Sequence, residues 1–314
     1  MKKDFFQEYI YPMEPMRRRE LPPDGGYSFQ VKWDGVRILS FVKEGEVRLQ
    51  NKKLKDRTLQ YPELSHLPLH LNFSQGILDG EMTHLAGGLP IFSALLKRDL
   101  SVKDFKISYL SKKYPVTYFV FDILYCEGEY LFKYPFWKRQ EILREKVREG
   151  DFVKIVGNHE KGKELMARVK GDKGEGVVAK EKNSPYLPGK KESSWLKIKV
   201  RRKQLCTLGG FILKKDRLSS LLLGAYGEEG LYYLGRVGTG LKEKEWEVLK
   251  GFLQERKISR PPFINPPSLE AALFWVEPVL ALWIEFFEWT GELKLRAPSI
   301  KGFSPSSPRD CILS

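Results

Sequence analysis

The segment Lys32-Trp33-Asp34-Gly35-Val36-Arg37 sets a lysine, a carboxylate, a glycine and an arginine at Lys-x-Asp-Gly-x-Arg spacing. Four fixed residue types at about 5% usage each match by chance roughly once in 10^5 positions. A lysine used as a nucleophile is weak when protonated, and only about a few parts in ten thousand are neutral at pH 7 at its ordinary pKa. Nearby positive charge and partial burial raise that fraction. A site that attacks a nucleoside triphosphate through lysine should therefore gather further cations, which also neutralise phosphate oxygens, and carboxylates that hold a hard divalent metal. The competing reading is a charged β-turn with Asp34-Gly35 as its hairpin signal.

Further along, Lys197 and Lys199 lie two apart on one predicted strand, so their side chains share a face; taken alone they fit a solvated basic edge equally well. Glu81 and Glu175 each sit beside a glycine at the edge of an apolar strand, where a carboxylate can reach a metal without being entombed. Phe121 and Trp195 could stack on a base or pack the core. The chain has no Walker phosphate loop, and Gly235-x-x-Gly238-x-Gly240 fits neither a dinucleotide fingerprint nor a helix start, so those glycines read as barrel turns. Phosphates must be handled by side chains.

These residues need a scaffold. At 314 residues, two domains are expected. Residues 27–49 read as two strands around the motif, with further strands at 76–82, 117–125, 174–180 and 195–199 and helices at 92–98 and 136–147. In the second helix Phe136, Leu143 and Val147 mark one face, and Arg139, Glu141 and Glu145 the other. The run Lys197 to Lys203 holds five basic residues in seven, after which short strands separated by glycines take over, so residues 200–206 read as a linker. Strands near 209–213, 221–223, 232–234 and 283–289, with a helix near 242–253, suit a small Greek-key barrel of the OB type. The expected fold class is α+β: antiparallel sheets with helices over 1–202, then the barrel over 203–314.

A formal charge of +14 points to a polyanionic partner, and the spread of basic residues over the whole length favours nucleic acid over a membrane. The stretch Leu273 to Phe287, broken by Glu277, Pro278 and Glu285, should not span a bilayer. With no apolar run of signal-peptide length and three scattered cysteines, Cys126, Cys206 and Cys311, the expected setting is the cytoplasm. Cys311-Ile312-Leu313-Ser314 matches the prenylation pattern, but no second membrane signal precedes it.

With the motifs assembled, the chain resembles an ATP-dependent DNA ligase of the compact bacterial kind, similar to the ligase module of non-homologous end joining. The likeness runs from Val31-Lys32-Trp33-Asp34-Gly35 through Leu78-Asp79-Gly80-Glu81, Phe119 to Tyr125, Glu175 to Lys180 and Ser184-Pro185-Tyr186-x-Pro188-Gly189 to Trp195-Leu196-Lys197-Ile198-Lys199. It continues into Gly235 to Gly240 and Glu288-Trp289-Thr290. The resemblance implies a nucleotidyltransferase domain followed by an OB-fold barrel, with ATP and Mg2+ or Mn2+ as cofactors. It makes Lys32 the nucleophile of a lysyl-AMP intermediate and places Arg37 near the ribose or phosphates. Gln30, where relatives often have Glu, would meet the adenine edge, and Phe121 would stack on the ring. Glu81 would serve ribose and metal, Glu175 the metal, and Lys197 and Lys199, with Lys180, the α-phosphate. The implied partner is double-stranded DNA with nicks or ends, met by a monomer. A large DNA-encircling N-terminal domain is not seen in the sequence, which makes a Ku-type end binder a further implied partner. An RNA ligase or capping nucleotidyltransferase, and a non-catalytic DNA-end-binding protein derived from a ligase, are the alternatives.

Two departures from the family pattern stand out. Lys52-Lys53-Leu54 stands where relatives usually show Arg-Asn-Gly, so Lys52 keeps a charge but loses the bidentate fork. Ser304, Ser306 and Ser307 fall where relatives place Arg, Asp and Lys, residues that orient the departing pyrophosphate, so slowed self-adenylation is expected, with Lys301 or Arg309 as partial substitutes.

Overall fold

The computed structural model describes residues 4–268, 272–290 and 292–313. Around the opening motif it has three strands rather than two: Tyr27–Lys32, Val36–Lys43 and Glu46–Asn51. Asp34-Gly35 is not a hairpin turn, because the strands on either side of it belong to different sheets. Its glycine answers a close approach: a Cβ on Gly35 would stand 2.1 Å from the Met82 carbonyl oxygen and 2.7 Å from Thr83 Oγ1. The hairpin turn comes later, at Glu44-Gly45, where both residues have positive φ.

The chain divides into two compact units, Met1–Val200 and Arg201–Ser314. In the first unit one sheet has the order Glu14–Arg17, Lys191–Lys199, Gly176–Glu181, Tyr27–Lys32. A second runs Val153–Ile155, Thr117–Cys126, Gln75–Thr83, Val36–Lys43, Glu46–Asn51, with Glu129–Tyr130 also on Thr117–Cys126. Pairing is antiparallel as expected, save one parallel edge strand in each sheet, Glu14–Arg17 and Val153–Ile155.

Side chains alternate along a strand, and that alternation divides each sheet into a packing face and a working face. In the first sheet Phe29, Val177, Ala179, Leu196 and Ile198 cluster with Leu165 and Val169 of helix Gly162–Gly171. The pleat therefore turns Gln30, Lys32, Lys180, Trp195, Lys197 and Lys199 the other way. In the second sheet Ile38, Val42, Leu78 and Met82 pack with Leu95 and Leu143, from helices Phe92–Asp99 and Phe136–Lys146. Leu39, Phe41 and Ile77 join Trp195 and Tyr186 on the opposite side. Arg37 and Glu81, in register with each other, follow the parity of that second group and so share its face. Each such large apolar side chain contributes about 1.5–3 kcal/mol by leaving water, so the polar residues interleaved with them are held on a rigid frame.

Helix Phe136–Lys146 forms where periodicity placed it, but Arg139 is not on a solvent face. It is fully buried in a bidentate pair with Asp122, at 2.8 and 3.0 Å. Helices Asp104–Lys113 and Gly162–Gly171 and the 3-10 run Pro62–His70 were not legible as periodic patterns.

Of the expected linker at 200–206, Val200 and Arg201 lie outside any strand, where the two units divide, but residues 202–206 belong to a strand of the second unit. Residues 202–207 of strand Arg202–Lys214 pair with Ala281–Phe286, turning Gln204 and Cys206 inward and Lys203 to solvent. The basic run imitated a linker because its polar members alternate with paired, buried ones. Beyond Thr207 the same strand pairs with Leu273–Val276, and along its other side with Arg217–Gly227. Gly230–Val237 extends one edge and Ser299–Ser304 the other. The two edges approach through Leu295 N to Leu234 O (2.8 Å) and Ile300 N to Thr239 O (3.0 Å). At that seam Gly240 has φ +110°, and a Cβ would meet Ile300 O at 2.2 Å. Helix Glu243–Gln254 plugs the core with Leu249 and Leu253. This is the partly open barrel of the OB type. Cys311 is fully buried; Ser314 lies outside the described residues. Among the described residues, no helix is long and apolar enough to cross a membrane.

Candidate active site

The working faces of the two sheets enclose a cavity of about 570 Å³ within the first unit. Of the residues singled out from sequence, Gln30, Lys32, Arg37, Lys52, Glu81, Phe121, Lys180 and Lys197 line it. Glu175 and Lys199 are not on its wall but are joined to Lys32 by charge.

That junction follows from register. Gly176 pairs with Lys32 on one side and Lys199 on the other, so Glu175, one residue earlier, is bracketed by both ammonium groups. Glu175 Oε2 accepts from Lys32 Nζ, and Oε1 lies 2.5 Å from Lys199 Nζ. Burial pushes the Glu175 carboxyl up, but Lys32 and Lys199 outweigh it and hold the group ionised below its usual range. For Lys32, burial favours the neutral amine, yet Glu175, then Glu81, outweigh it and raise its pKa. This corrects the expectation of a lysine primed by neighbouring cations: here the flanking carboxylates dominate, and Lys32 rests as ammonium. Glu81 is itself pushed up to about 7, chiefly by burial, against the pull of Lys32 and Arg37.

Arg37 is held differently. Its Nε and Nη2 donate to Asp79 Oδ1 (2.9 Å) and Oδ2 (2.6 Å), and its Nη1 donates to the Met13 carbonyl (2.7 Å). Tyr186 OH donates to Asp79 Oδ2 at 2.8 Å. Burial opposes the charge on Arg37, and Asp79 overcomes it. The guanidinium carbon lies 5.2 Å from the Phe121 ring centroid.

Lys180 is almost fully buried, with Nζ 4.0 Å from the Trp195 ring and 4.3 Å from that of Phe121. Burial lowers its pKa to about 7, against the pull of Asp122 and Asp79. The Lys197 side chain lines the cavity with no ion pair or hydrogen bond of its own among the described residues, and its pKa is lowered by burial and then by Lys32. Of the two strand lysines, Lys197 is thus the one left to meet a ligand anion, while Lys199 is engaged by Glu175.

Sequence reasoning missed several contributors. Asp79 lies within the Leu78-Asp79-Gly80-Glu81 motif, whose spacing does not reveal that it is the partner of Arg37. Lys53, Lys55 and Arg57 also line the cavity. The Asn51 side-chain oxygen accepts from Lys53 N (2.9 Å) and Lys55 N (3.1 Å), shaping the loop that presents them. Gln140 and Asn158 hold Gln30: Gln30 Nε2 donates to Asn158 Oδ1 (2.9 Å) and Gln140 Oε1 (3.3 Å).

Comparison with known proteins now bears on this geometry. Residues 19–199 match the ATP dependent DNA ligase domain, and residues 214–306 the ATP dependent DNA ligase C terminal region. The chain belongs to the ATP-dependent DNA ligase family. It is 31% identical over 294 residues to the multifunctional non-homologous end joining protein LigD of Mycolicibacterium smegmatis, a match covering 90% of this chain and 37% of the relative. It is 32% identical over 307 residues to a probable DNA ligase of Aquifex aeolicus, covering 89% of this chain and 50% of the relative. Its fold matches a mycobacterial DNA ligase D complexed with ATP and MES, with TM-score 0.55, 29% identity and coverage of 99% of this chain and 100% of the other. The chain thus spans half or less of the length of these two sequence relatives.

Against the family pattern, this ligase chain departs in two places with visible consequences. Leu54, where the resemblance implies glycine, has φ +60°, a left-handed backbone that costs a side-chain-bearing residue about 1–2 kcal/mol. In the tail, Ser304 Oγ donates to Ser306 Oγ (2.9 Å), and Ser307 caps the short turn Pro308–Asp310. The two cations expected to compensate are both engaged on the barrel: Lys301 lies 3.1 Å from Glu285 Oε1, and the Arg309 guanidinium 4.6 Å from the Tyr226 ring.

Proposed function

We propose that this chain seals breaks between 3′-hydroxyl and 5′-phosphate ends of duplex DNA, using ATP through a covalent AMP on Lys32. Lys32 Nζ attacks the α-phosphorus of ATP, forming an N–P bond as pyrophosphate leaves. A DNA 5′-phosphate oxygen then attacks the adenylate phosphorus and Lys32 leaves as the amine. Finally the 3′-hydroxyl attacks the DNA phosphorus and AMP departs. The observation that carries this reading is a lysine in the family's motif, on the wall of a cavity lined by Lys52, Lys197, Arg37 and Phe121.

Glu81 and Glu175 fit a divalent ion. Glu81 lines the cavity and Glu175 pairs with Lys32 beside it, so their oxygens would hold Mg2+ or Mn2+ as one or two carboxylates do together with substrate phosphates. Such an ion neutralises developing charge on the phosphates. Before attack, Lys32 must leave Glu175 and lose its proton. Gln30 faces the base, Phe121 stacks on it, Lys197 meets the α-phosphate, Lys180 supports the Phe121 wall, and Lys199 sets the position of Glu175.

We assign residues 1–202 the adenylation role and 203–314 duplex binding through backbone contacts without reading sequence. The relatives named for non-homologous end joining favour that pathway, with a monomer acting in the cytoplasm beside a Ku-type end binder. The serine tail should slow self-adenylation. Lys32→Ala should abolish the AMP adduct and sealing of a nicked duplex; an adduct in that variant would refute the assignment.

A further inference from the structure

We infer that Gln140 and Asn158 are positioning residues that fix which atom Gln30 shows to the nucleotide base, and so select a purine carrying a 6-amino group. This rests on the proposed reading of the cavity as a nucleotide site. It concerns residues outside the ligase motifs, one on helix Phe136–Lys146 and one in the loop after strand Val153–Ile155.

A glutamine amide can turn its oxygen or its nitrogen toward a ligand, and the two choices recognise opposite base edges. Here a chain of hydrogen bonds removes the choice. It begins at the Phe121 backbone carbonyl, which can only accept. Gln140 must therefore offer its nitrogen there, and Nε2 donates to Phe121 O at 2.9 Å. Gln140 Oε1 is then the acceptor at its other side, taking Asn158 Nδ2 at 2.9 Å and Gln30 Nε2 at 3.3 Å. With Nδ2 of Asn158 committed, its Oδ1 accepts from Gln30 Nε2 (2.9 Å) and from Ser28 Oγ (3.1 Å). Two oxygens thus converge on the Gln30 nitrogen. Reversing Gln30 would set its oxygen against both of them in a nearly dry environment, since Gln30 and Gln140 are each 2% exposed. The direction of each amide follows from the carbonyl at the root of the chain.

The consequence is that Gln30 Oε1 is the polar atom this side chain has left for the cavity it lines. An acceptor fits the 6-amino group of adenine and opposes the 6-carbonyl of guanine. The same residue that anchors the relay, Phe121, also lends its ring to the cavity wall, so the stacking surface and the hydrogen-bond acceptor are held in one geometry. A glutamate at position 30 would face two acceptors with a carboxylate, so the relay matches an amide at this position.

The test is equilibrium binding of AMP, GMP and purine riboside monophosphate, which lacks the 6-amino group, to the full chain. Monophosphates carry no pyrophosphate to expel, so binding is read apart from adduct formation. The unsubstituted protein should prefer AMP to the purine analogue by about tenfold, the worth of one good hydrogen bond, and should prefer AMP to GMP by more. Gln140→Met should bring the AMP-to-purine ratio close to one, and Asn158→Ala should lower it by about threefold. A ratio measured on one sample does not depend on how much of it is folded, so general loss of structure cannot imitate this result. Failure of the unsubstituted protein to discriminate or to bind, or an unchanged ratio in both variants, would overturn the inference. Absence of a Lys32 adduct with ATP alongside intact AMP preference would instead remove the ligase reading and leave the relay standing.

Discussion

The two cations of the opening motif meet their carboxylates in opposite ways. Arg37 grips Asp79 with two parallel hydrogen bonds, Asp79 has no exposure, and Tyr186 and the Met13 carbonyl complete the set. Lys32 touches Glu175 through one amine, both groups keep some exposure, and Glu175 is shared with Lys199. A bidentate buried pair resists exchange, whereas a shared single-point contact can be traded for a phosphate or a metal ion. The comparison teaches that the lysine proposed as the nucleophile is loosely tethered, whereas the arginine beside it is locked.

Substitutions can break that comparison. Asp79→Asn should cost about 3–5 kcal/mol of stability in denaturant unfolding, because it leaves a buried guanidinium without its charge partner. Glu175→Gln should cost less, about 1–3 kcal/mol, because the amide oxygen can still accept from one of the two lysines, while the loss of charge shows in metal-dependent adenylation. Equal stability losses in the two variants would show that the pairs are built alike.

The tail offers a second lever. Replacing Ser304, Ser306 and Ser307 together by Arg, Asp and Lys, the pattern and pyrophosphate-orienting role the resemblance implies for this tail, should speed AMP-enzyme formation about tenfold. An unchanged single-turnover rate would show that the serines are not what limits this step.

The locked side can be sharpened by titration. Glu81 is raised to about 7 when folded; between its unfolded pKa and 7 the folded chain binds more protons, so this residue makes stability fall as pH rises through that window. Lys180 is lowered to about 7; between 7 and its unfolded pKa the unfolded chain binds more protons, so stability rises with pH there. Glu81→Gln should flatten the acid slope and Lys180→Met the alkaline one, in unfolding measured at several pH values. The smallest expected effect is Leu54→Gly, which should stabilise by about 1 kcal/mol by relieving a left-handed backbone.

Much of this was readable in the chain. Charged residues at fixed spacing inside alternating strands announce their face, which is why Lys32, Lys197 and Glu81 are expected together and why all three line one cavity, and helical spacing locates the barrel helix. What escaped reading depends on distant pairing. Gln30 meets Gln140 and Asn158 across 110 and 128 residues, and neutral amides leave no charge or periodic trace. Asp79 gains meaning only when strand register sets it against Arg37. Residues 200–206, reached through a basic run, read as a linker, but a strand some 80 residues later pairs with 202–207. Which charge stands nearest Lys32 escapes reading for the same reason: composition counts cations and carboxylates alike, and register decides that Glu175 stands closest.

The most direct measurement is intact-mass and peptide mass spectrometry of the protein incubated with ATP and magnesium. The account predicts a single added AMP located on Lys32 and discharged by pyrophosphate. No adduct, or one carried on another residue, would contradict it.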